Sequence, residues 1–277
     1  MTCNIKENLL MKMTSKLLTI AALTLIGTVG AFADQQGTDI MQKAKDLEKP
    51  KFSHSMVEMV LTEKNGTKEI RKVEELGRNH DDGNGNNVND VTMLFHSPAN
   101  VKDTRFLQKE NHGKDDDKWI YLPALKNTRR VNSSEGTKSF MGTDATYDDL
   151  STREIEEDDH QYQGEETKKV GATTFECYKI KEVPYDKKSS QYSYRITWVD
   201  KATYVPVYTE MYDKNEKLIK TLEVPVIKNI SGYTITMATR MTNVQTGHST
   251  TITIKQLELD KPIPERVFTS QFLNTGK

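Results

Sequence analysis

Cysteine is the scarcest chemistry in this chain. Of 277 residues only Cys3 and Cys177 are cysteines. Cys3 precedes an apolar run at 17–29, so a chain cut after that run keeps one thiol and can form no internal disulfide. No cysteine follows the run at the position where a bacterial lipid anchor needs one. Cys177 sits in TTFECYKI between apolar neighbours, the setting of a buried structural thiol. Charge of one sign is also missing. Three of the 39 basic residues and one of the 40 acidic ones lie before Asp34, which leaves a formal charge of −3 beyond it. That near-neutral balance argues against a nucleic-acid partner. After residue 29 no apolar stretch is long enough to cross a bilayer as a helix, and no solenoid or propeller repeat is evident.

What is present at the N-terminus has the form of an export signal. Lys12 and Lys16 precede the apolar run, and Ala31-Phe32-Ala33 is a small-x-small cleavage signature. The expectation is a signal peptide over 1–33 and a single domain over 34–277, soluble in the periplasm and not acylated. Met1, Met11 and Met13 are all possible starts.

Beyond the signal, residues 38–48 read as a helix, with Thr38 as cap, Ile40, Met41, Ala44 and Leu47 at helical spacing, and Pro50 as stop. Almost everything else alternates with period two. Strands are expected at 56–62, 69–76, 91–96, 104–109, 118–122, 173–182, 192–199, 204–212, 218–227, 233–242 and 250–257. Turn signals stand at Asn65-Gly66, Asp213 to Glu216 and Thr246-Gly247. About eleven strands with short polar turns and one early helix imply a mainly β chain, an antiparallel sheet strongly curved or barrel-like. Two loops break the rhythm, at 79–90 and 132–152. One helix cannot fill the concave face of such a sheet. Pattern alone leaves two outcomes open, an apolar hollow beneath the helix or two tightly packed sheets.

Catalytic signatures are absent from the sequence. None of the six histidines forms a metal-spaced pair, and there is no GxSxG, Walker loop or GxGxxG after a strand. Asp82, Asn84 and Asn86 have the spacing of an EF-hand start, but Asn87 replaces the glycine and Met93 the closing glutamate, so a flexible loop is expected. Asp115 to Asp117 read as a solvated turn. A carboxylate pair for glycoside hydrolysis has no spacing to single it out. Arg129 and Arg130 are either a solvated turn or a basic rim that meets a headgroup or an acidic partner.

The run from Trp119 to Leu125 (WIYLPAL), Arg129-Arg130-Val131, Ser139 to Asp144 (SFMGTD) and Tyr147 to Leu150 (YDDL) together resemble the outer-membrane lipoprotein-sorting protein family, the LolA-like periplasmic carriers. Val199 to Pro206 and Tyr212 to Leu218 resemble that family's hairpin. The chain departs from it at Thr143 and Ala145, where a serine and an aromatic are usual, and at Asp103, where glycine is frequent. The resemblance implies an unclosed antiparallel β-barrel, with the N-terminal helix and a loop covering an apolar cavity. It implies a lipid, a lipoprotein acyl chain or another hydrophobic cargo, passed between membrane components. It also implies an inner-membrane exporter of the resistance-nodulation-division (RND) type and an outer-membrane acceptor as partners. No cofactor, metal or catalysis is expected. The expected cavity residues are Met59, Leu61, Met93, Phe95, Phe106, Trp119, Tyr121, Phe140, Met141 and Trp198, with Arg129 and Arg130 on the rim. Competing readings are a periplasmic hydrolase that uses carboxylates, and a structural adaptor that binds no cargo. Phe140 and Met141 are expected at the cavity mouth, with Asp144, Asp148 and Asp149 facing water.

Overall fold

The computed structural model describes residues 35–277. The signal peptide expected over 1–33 lies outside the described residues. A helix, α1, covers 35–45. It starts earlier and ends sooner than the sequence suggested, so Thr38 is inside it and not its cap. Thirteen strands follow: β1 (Phe52–Thr62), β2 (Lys68–Asp81), β3 (Asn87–Ser97), β4 (Arg105–Lys109), β5 (Asp117–Leu122), β6 (Asn127–Arg130), β7 (Asp158–Val170), β8 (Thr173–Pro184), β9 (Tyr194–Asp200), β10 (Pro206–Tyr212), β11 (Leu218–Ile230), β12 (Tyr233–Asn243) and β13 (Ser249–Leu259). A short helix, α2 (Ser270–Thr275), ends the chain.

All thirteen strands form one antiparallel sheet in the order β6-β5-β4-β3-β2-β1-β13-β12-β11-β10-β9-β8-β7. Two meanders are joined where β1 pairs with β13. The sheet does not close, because β6 and β7 are its two free edges. These are the two strands that the sequence did not reveal. β6 (NTRR) and β7 (DDHQYQGEETKKV) carry few apolar residues. An edge strand pairs on one side only, and polar, charged sequence protects it from further pairing. The expected loop at 79–90 shrinks, since β2 runs to Asp81 and β3 begins at Asn87.

β6 and β7 are consecutive in sequence yet lie at opposite edges. The connection between them, residues 131–157, must therefore span the sheet. It does so across the inner face. Register defines that face: Leu61, Thr250, Met241, Leu222, Thr209, Thr197 and Ile180 stand opposite one another from strand to strand. α1 covers the far end of the same face. Its Ile40 packs on Ile180 and Val199. Gly37 permits close approach, because a Cβ there would stand 2.1 Å from the carbonyl oxygen of His160 in β7.

The outer face of β3–β5 is covered by the C-terminal segment. Val267, Phe268, Phe272 and Leu273 bury Leu76 and Leu107. Thr269 caps α2 by accepting from the Phe272 amide at 3.1 Å. Arg105 reaches over the Tyr121 ring (4.6 Å to its centroid) and donates to the Leu273 carbonyl.

Candidate functional site

The connection 131–157 divides the inner face into two unlike regions. Over β1–β5 it fills most of the hollow with its own side chains. Phe140 is 2 % exposed. Its ring centroid stands 4.8 Å from Phe106, 5.7 Å from Tyr147 and 6.3 Å from Phe95. Around these rings lie Val57, Met59, Leu61, Val73 and Ile120, with Met93, Met141 and Leu150 at the margin. Aromatic pairs at such distances add about 0.5–1.5 kcal/mol each beyond their buried area.

Polar contacts hold this plug. Arg71, itself 5 % exposed, donates to the Met141 carbonyl at 2.7 Å. Met141 and Gly142 turn through positive φ (52° and 78°), which glycine accepts freely and methionine does not. Thr143 donates to the Phe140 carbonyl at 2.7 Å. Asp144 is buried, accepts from Thr250 Oγ1 at 2.7 Å and meets His248 Nδ1 at 2.8 Å. Asp149 accepts from the Thr146 amide, the Tyr192 hydroxyl and Lys220 Nζ, each at 2.8 Å. Burial and the neighbouring Asp149 carboxylate push the Tyr192 hydroxyl far above the usual tyrosine range. Of the three aspartates expected to face water, only Asp148 does so. Asp144 and Asp149 instead clasp the connection to β13 and to β11, because each finds hydrogen-bond donors on the sheet.

Over β10–β12 the inner face is less completely filled, although Tyr192, Met211 and Met241 are themselves buried. A cleft of about 980 Å³ lies there, bordered by both ends of the connection and by the β4–β5 turn. Its apolar floor is Tyr192, Met211, Leu222 and Met241, and Tyr147 separates it from the packed core. Its walls are charged and polar, with Arg130, Arg153 and Arg195 among them. Arg153 Nε and Arg195 Nη2 reach Asp158 at 2.8 Å and 2.5 Å, and Lys118 Nζ donates to Ser151 Oγ at 2.6 Å. Arg153 and Arg195 are therefore matched within the protein.

The residues expected to line an apolar cavity fall into three groups. Met59, Leu61, Met93, Phe95, Phe106, Phe140 and Met141 come together in the core under the connection, where Met93 and Phe106 also line a small cavity. Trp119 and Tyr121 face outward, against the C-terminal segment, because Trp119 stands opposite Leu107 on that side of the sheet. Trp198 also faces away from the inner Thr197, with Tyr208 beside it (5.4 Å) and Lys168 over its ring (3.7 Å). Arg130 borders the cleft. Arg129 turns to Glu135 at 2.7 Å, and that bond first, with the Asn132 amide, holds the Glu135 carboxyl down to about 2. Sequence reasoning missed the cleft floor. Met211 and Met241 were legible as strand residues, but only the pairing order brings β10, β11 and β12 beneath one opening.

Four smaller expectations can be placed. The 82–86 loop is ordered by its own carboxylates: Asp82 takes the Asn86 side chain at 3.0 Å and the Asn84 amide at 2.8 Å, which holds its carboxyl at about 2. Asp116 is not solvated, since it accepts from Gln108 Nε2 at 2.9 Å and its side chain is 4 % exposed. Cross-strand register puts His54 and His96 on the two oxygens of Glu74, at 2.7 Å and 2.9 Å. Among the described residues no three His, Cys, Asp or Glu side chains are placed to hold a metal ion. Cys177 is buried, which pushes its thiol up to about 11.

The fold and the cleft define a class, the unclosed antiparallel β-barrel whose inner face is partly plugged by a crossing loop. Residues 87–275 match a family model described as "uncharacterized protein"-like. No curated protein matches the chain. A DUF1329 family protein from Desulfovibrio piger superposes with a TM-score of 0.79 at 26% identity, over 87% of this chain and 99% of that one. A domain from Vibrio parahaemolyticus, named as an outer membrane lipoprotein-sorting protein, gives 0.78 at 29% identity over the same shares, 87% and 99%. A LolA superfamily protein from Nitrosomonas europaea shares the fold at 16% identity, with a TM-score of 0.60 over 84% and 97% of the two chains. The chain belongs to the family of that model, and in fold it is similar to the LolA-like lipoprotein-sorting proteins.

Proposed function

We propose that this protein is a non-enzymatic periplasmic carrier of a lipid, a lipoprotein acyl chain or another hydrophobic molecule. The observation that carries the proposal is the cleft of about 980 Å³ with Met211, Leu222, Met241 and Tyr192 as its floor. Its volume suits part of an acyl chain. Each methylene moved from water onto such a floor contributes about 0.8 kcal/mol, enough for useful and reversible affinity. The polar walls suit a headgroup at the mouth. Withdrawal of the connection extends the site onto Met59, Leu61, Met93, Phe95 and Phe106. The donor is an RND-type exporter and the acceptor lies at the outer membrane. Residues 1–33 direct export, and 34–277 form the carrier domain. Similarity to a domain named for lipoprotein sorting supports this reading. Two of the cleft carboxylates, Asp149 and Glu154, are taken up by ion pairs.

The test is displacement of a fluorescent fatty acid from the purified protein by phospholipid, with mass spectrometry of solvent extracts to identify bound cargo. Saturable binding weakened by Leu222→Glu is expected. Absence of saturable binding in protein stripped of lipid would overturn the proposal.

A further inference from the structure

A second, smaller cavity of about 110 Å³ lies on the inner face over β2–β4, next to the cleft, with Thr152 lining both. Met93, Phe106 and Leu150 form its apolar walls. Glu75, Asn89, Gln108 and Glu110 supply its polar atoms. Register explains the company. Glu75 pairs with Met93 and Met93 with Phe106, so a carboxylate stands in a row of core side chains. Val73, two residues earlier on the same face, is 1 % exposed. Among the described residues Glu75 has no hydrogen-bond or ion-pair partner, and it stands half-buried at the cavity.

The other polar groups present oxygen alone. Gln108 donates through Nε2 to Asp116 and to the Leu150 carbonyl, both at 2.9 Å. Those two acceptors fix its orientation and leave its Oε1 free. Asn89 donates through Nδ2 to the Arg78 carbonyl at 3.3 Å and to Asn79 Oδ1 at 3.0 Å, which leaves its Oδ1 free. Glu110 accepts from the Asn89 amide through Oε2 at 2.8 Å, leaving Oε1. Thr152 adds a hydroxyl, and no cationic side chain lines the space. An isolated carboxyl in apolar surroundings is costly to keep, and here nothing in the fold repays that cost.

We infer that this cavity is a binding site for a primary alkylammonium group, with Glu75 and Glu110 as its counter-charges. An ammonium has three donors and no acceptor, the complement of a cavity that offers acceptors and no cation. A volume with room for several waters takes the head and a few methylenes against Met93, Phe106 and Leu150. Burial raises both carboxyls above the usual glutamate range, and on Glu110 the fields of Asp116 and Glu154 oppose that of Lys49. Such a site gains from a positive ligand. The ammonium belongs either to a free amine or to an aminolipid headgroup. This site goes beyond the carrier reading and does not rest on it.

The experiment is calorimetric titration of the purified protein with n-butylamine, n-butanol and butyrate near neutral pH. Parallel titrations use dihexanoyl phosphatidylethanolamine and dihexanoyl phosphatidylcholine. Butylamine should bind saturably and at least tenfold more tightly than butanol or butyrate, and Glu75→Gln should weaken it at least tenfold. Phosphatidylethanolamine bound in preference to phosphatidylcholine, and lost in Glu75→Gln, identifies the headgroup as a source. Selectivity confined to butylamine identifies a free amine. Equal affinity for butanol, no saturable binding of either amine, or amine binding unchanged in Glu75→Gln overturns the inference. The fluorescent fatty acid reads the large cleft in the same samples and should be indifferent to Glu75→Gln. Failure of that probe with intact amine binding removes the carrier reading and leaves this site standing.

Discussion

Phe106 and Leu222 point to the same face of one sheet and meet different surroundings. Phe106 lies under Phe140 and Tyr147 in a core that leaves only a small cavity, while Leu222 borders a cleft of about 980 Å³. The sheet does not make this difference. The crossing connection does. Its first half carries Val131, Phe140, Met141, Tyr147 and Leu150, which are apolar enough to fill a hollow. Its second half (STREIEE) has only Ile155 of that kind, so it spans the space without filling it. An open barrel is thus solid or hollow according to the composition of what crosses it.

The largest expected effect breaks the solid end. Phe140→Ala should cost about 3–5 kcal/mol in urea denaturation, with fatty-acid affinity unchanged in the folded fraction. This reverses the order expected from sequence, where Phe140 was a mouth residue whose loss lowers affinity first. If affinity falls while stability holds, the plug is part of the binding surface. The clasp between the two ends comes next. Asp149→Ala strands Lys220 and the Tyr192 hydroxyl, a loss on the order of 3 kcal/mol for a buried ion pair with one partner removed. Faster hydrogen exchange over 139–150 should accompany it.

At the hollow end, Leu222→Glu should weaken fatty-acid binding at least tenfold, about 1.4 kcal/mol, with little change in the unfolding midpoint. A midpoint shift as large as that of Phe140→Ala would show that the cleft is closed in solution. A smaller effect concerns pH. Burial raises the Glu75 carboxyl, so the folded state holds that proton more tightly than the unfolded chain. Its favourable contribution is full below the ordinary glutamate value and is lost as pH rises through the raised one. Glu75→Gln should therefore stabilise modestly at neutral pH and have no effect in acid, as denaturation at the two pH values will show. The smallest expected effect is none. A chelator should leave the melting temperature unchanged, because the carboxylate oxygens of Asp82 already accept from Asn84 and Asn86.

Sequence legibility follows the same divide. Strands β1–β5 and β8–β13 announced themselves through alternation, because a strand with one buried face must repeat every second residue. The edges β6 and β7 did not, having little apolar surface to repeat. α2 escaped notice because six residues are too few to show a helical period. Asp103 adopts φ 65°, a left-handed conformation that glycine accepts freely and that no periodic pattern reveals.

Composition and periodicity by themselves determined the class: an antiparallel, mainly β chain with short turns, one early helix and no disulfide. They also marked Phe140 and Met141 as apolar residues in a long loop that needed burial. Only tertiary structure decided where that burial occurs. The loop's target depends on which strands are the edges, and edge identity is a property of pairing order, not of any single strand. The same holds for the faces. Trp119 and Phe106 belong to adjacent strands with similar patterns, and register alone sends one outward to the C-terminal segment and the other inward. The cleft, the clasp at Asp149 and the acceptor-lined cavity at Glu75 all arise from residues far apart in sequence. Long-range pairing brings them together, and local pattern cannot encode it.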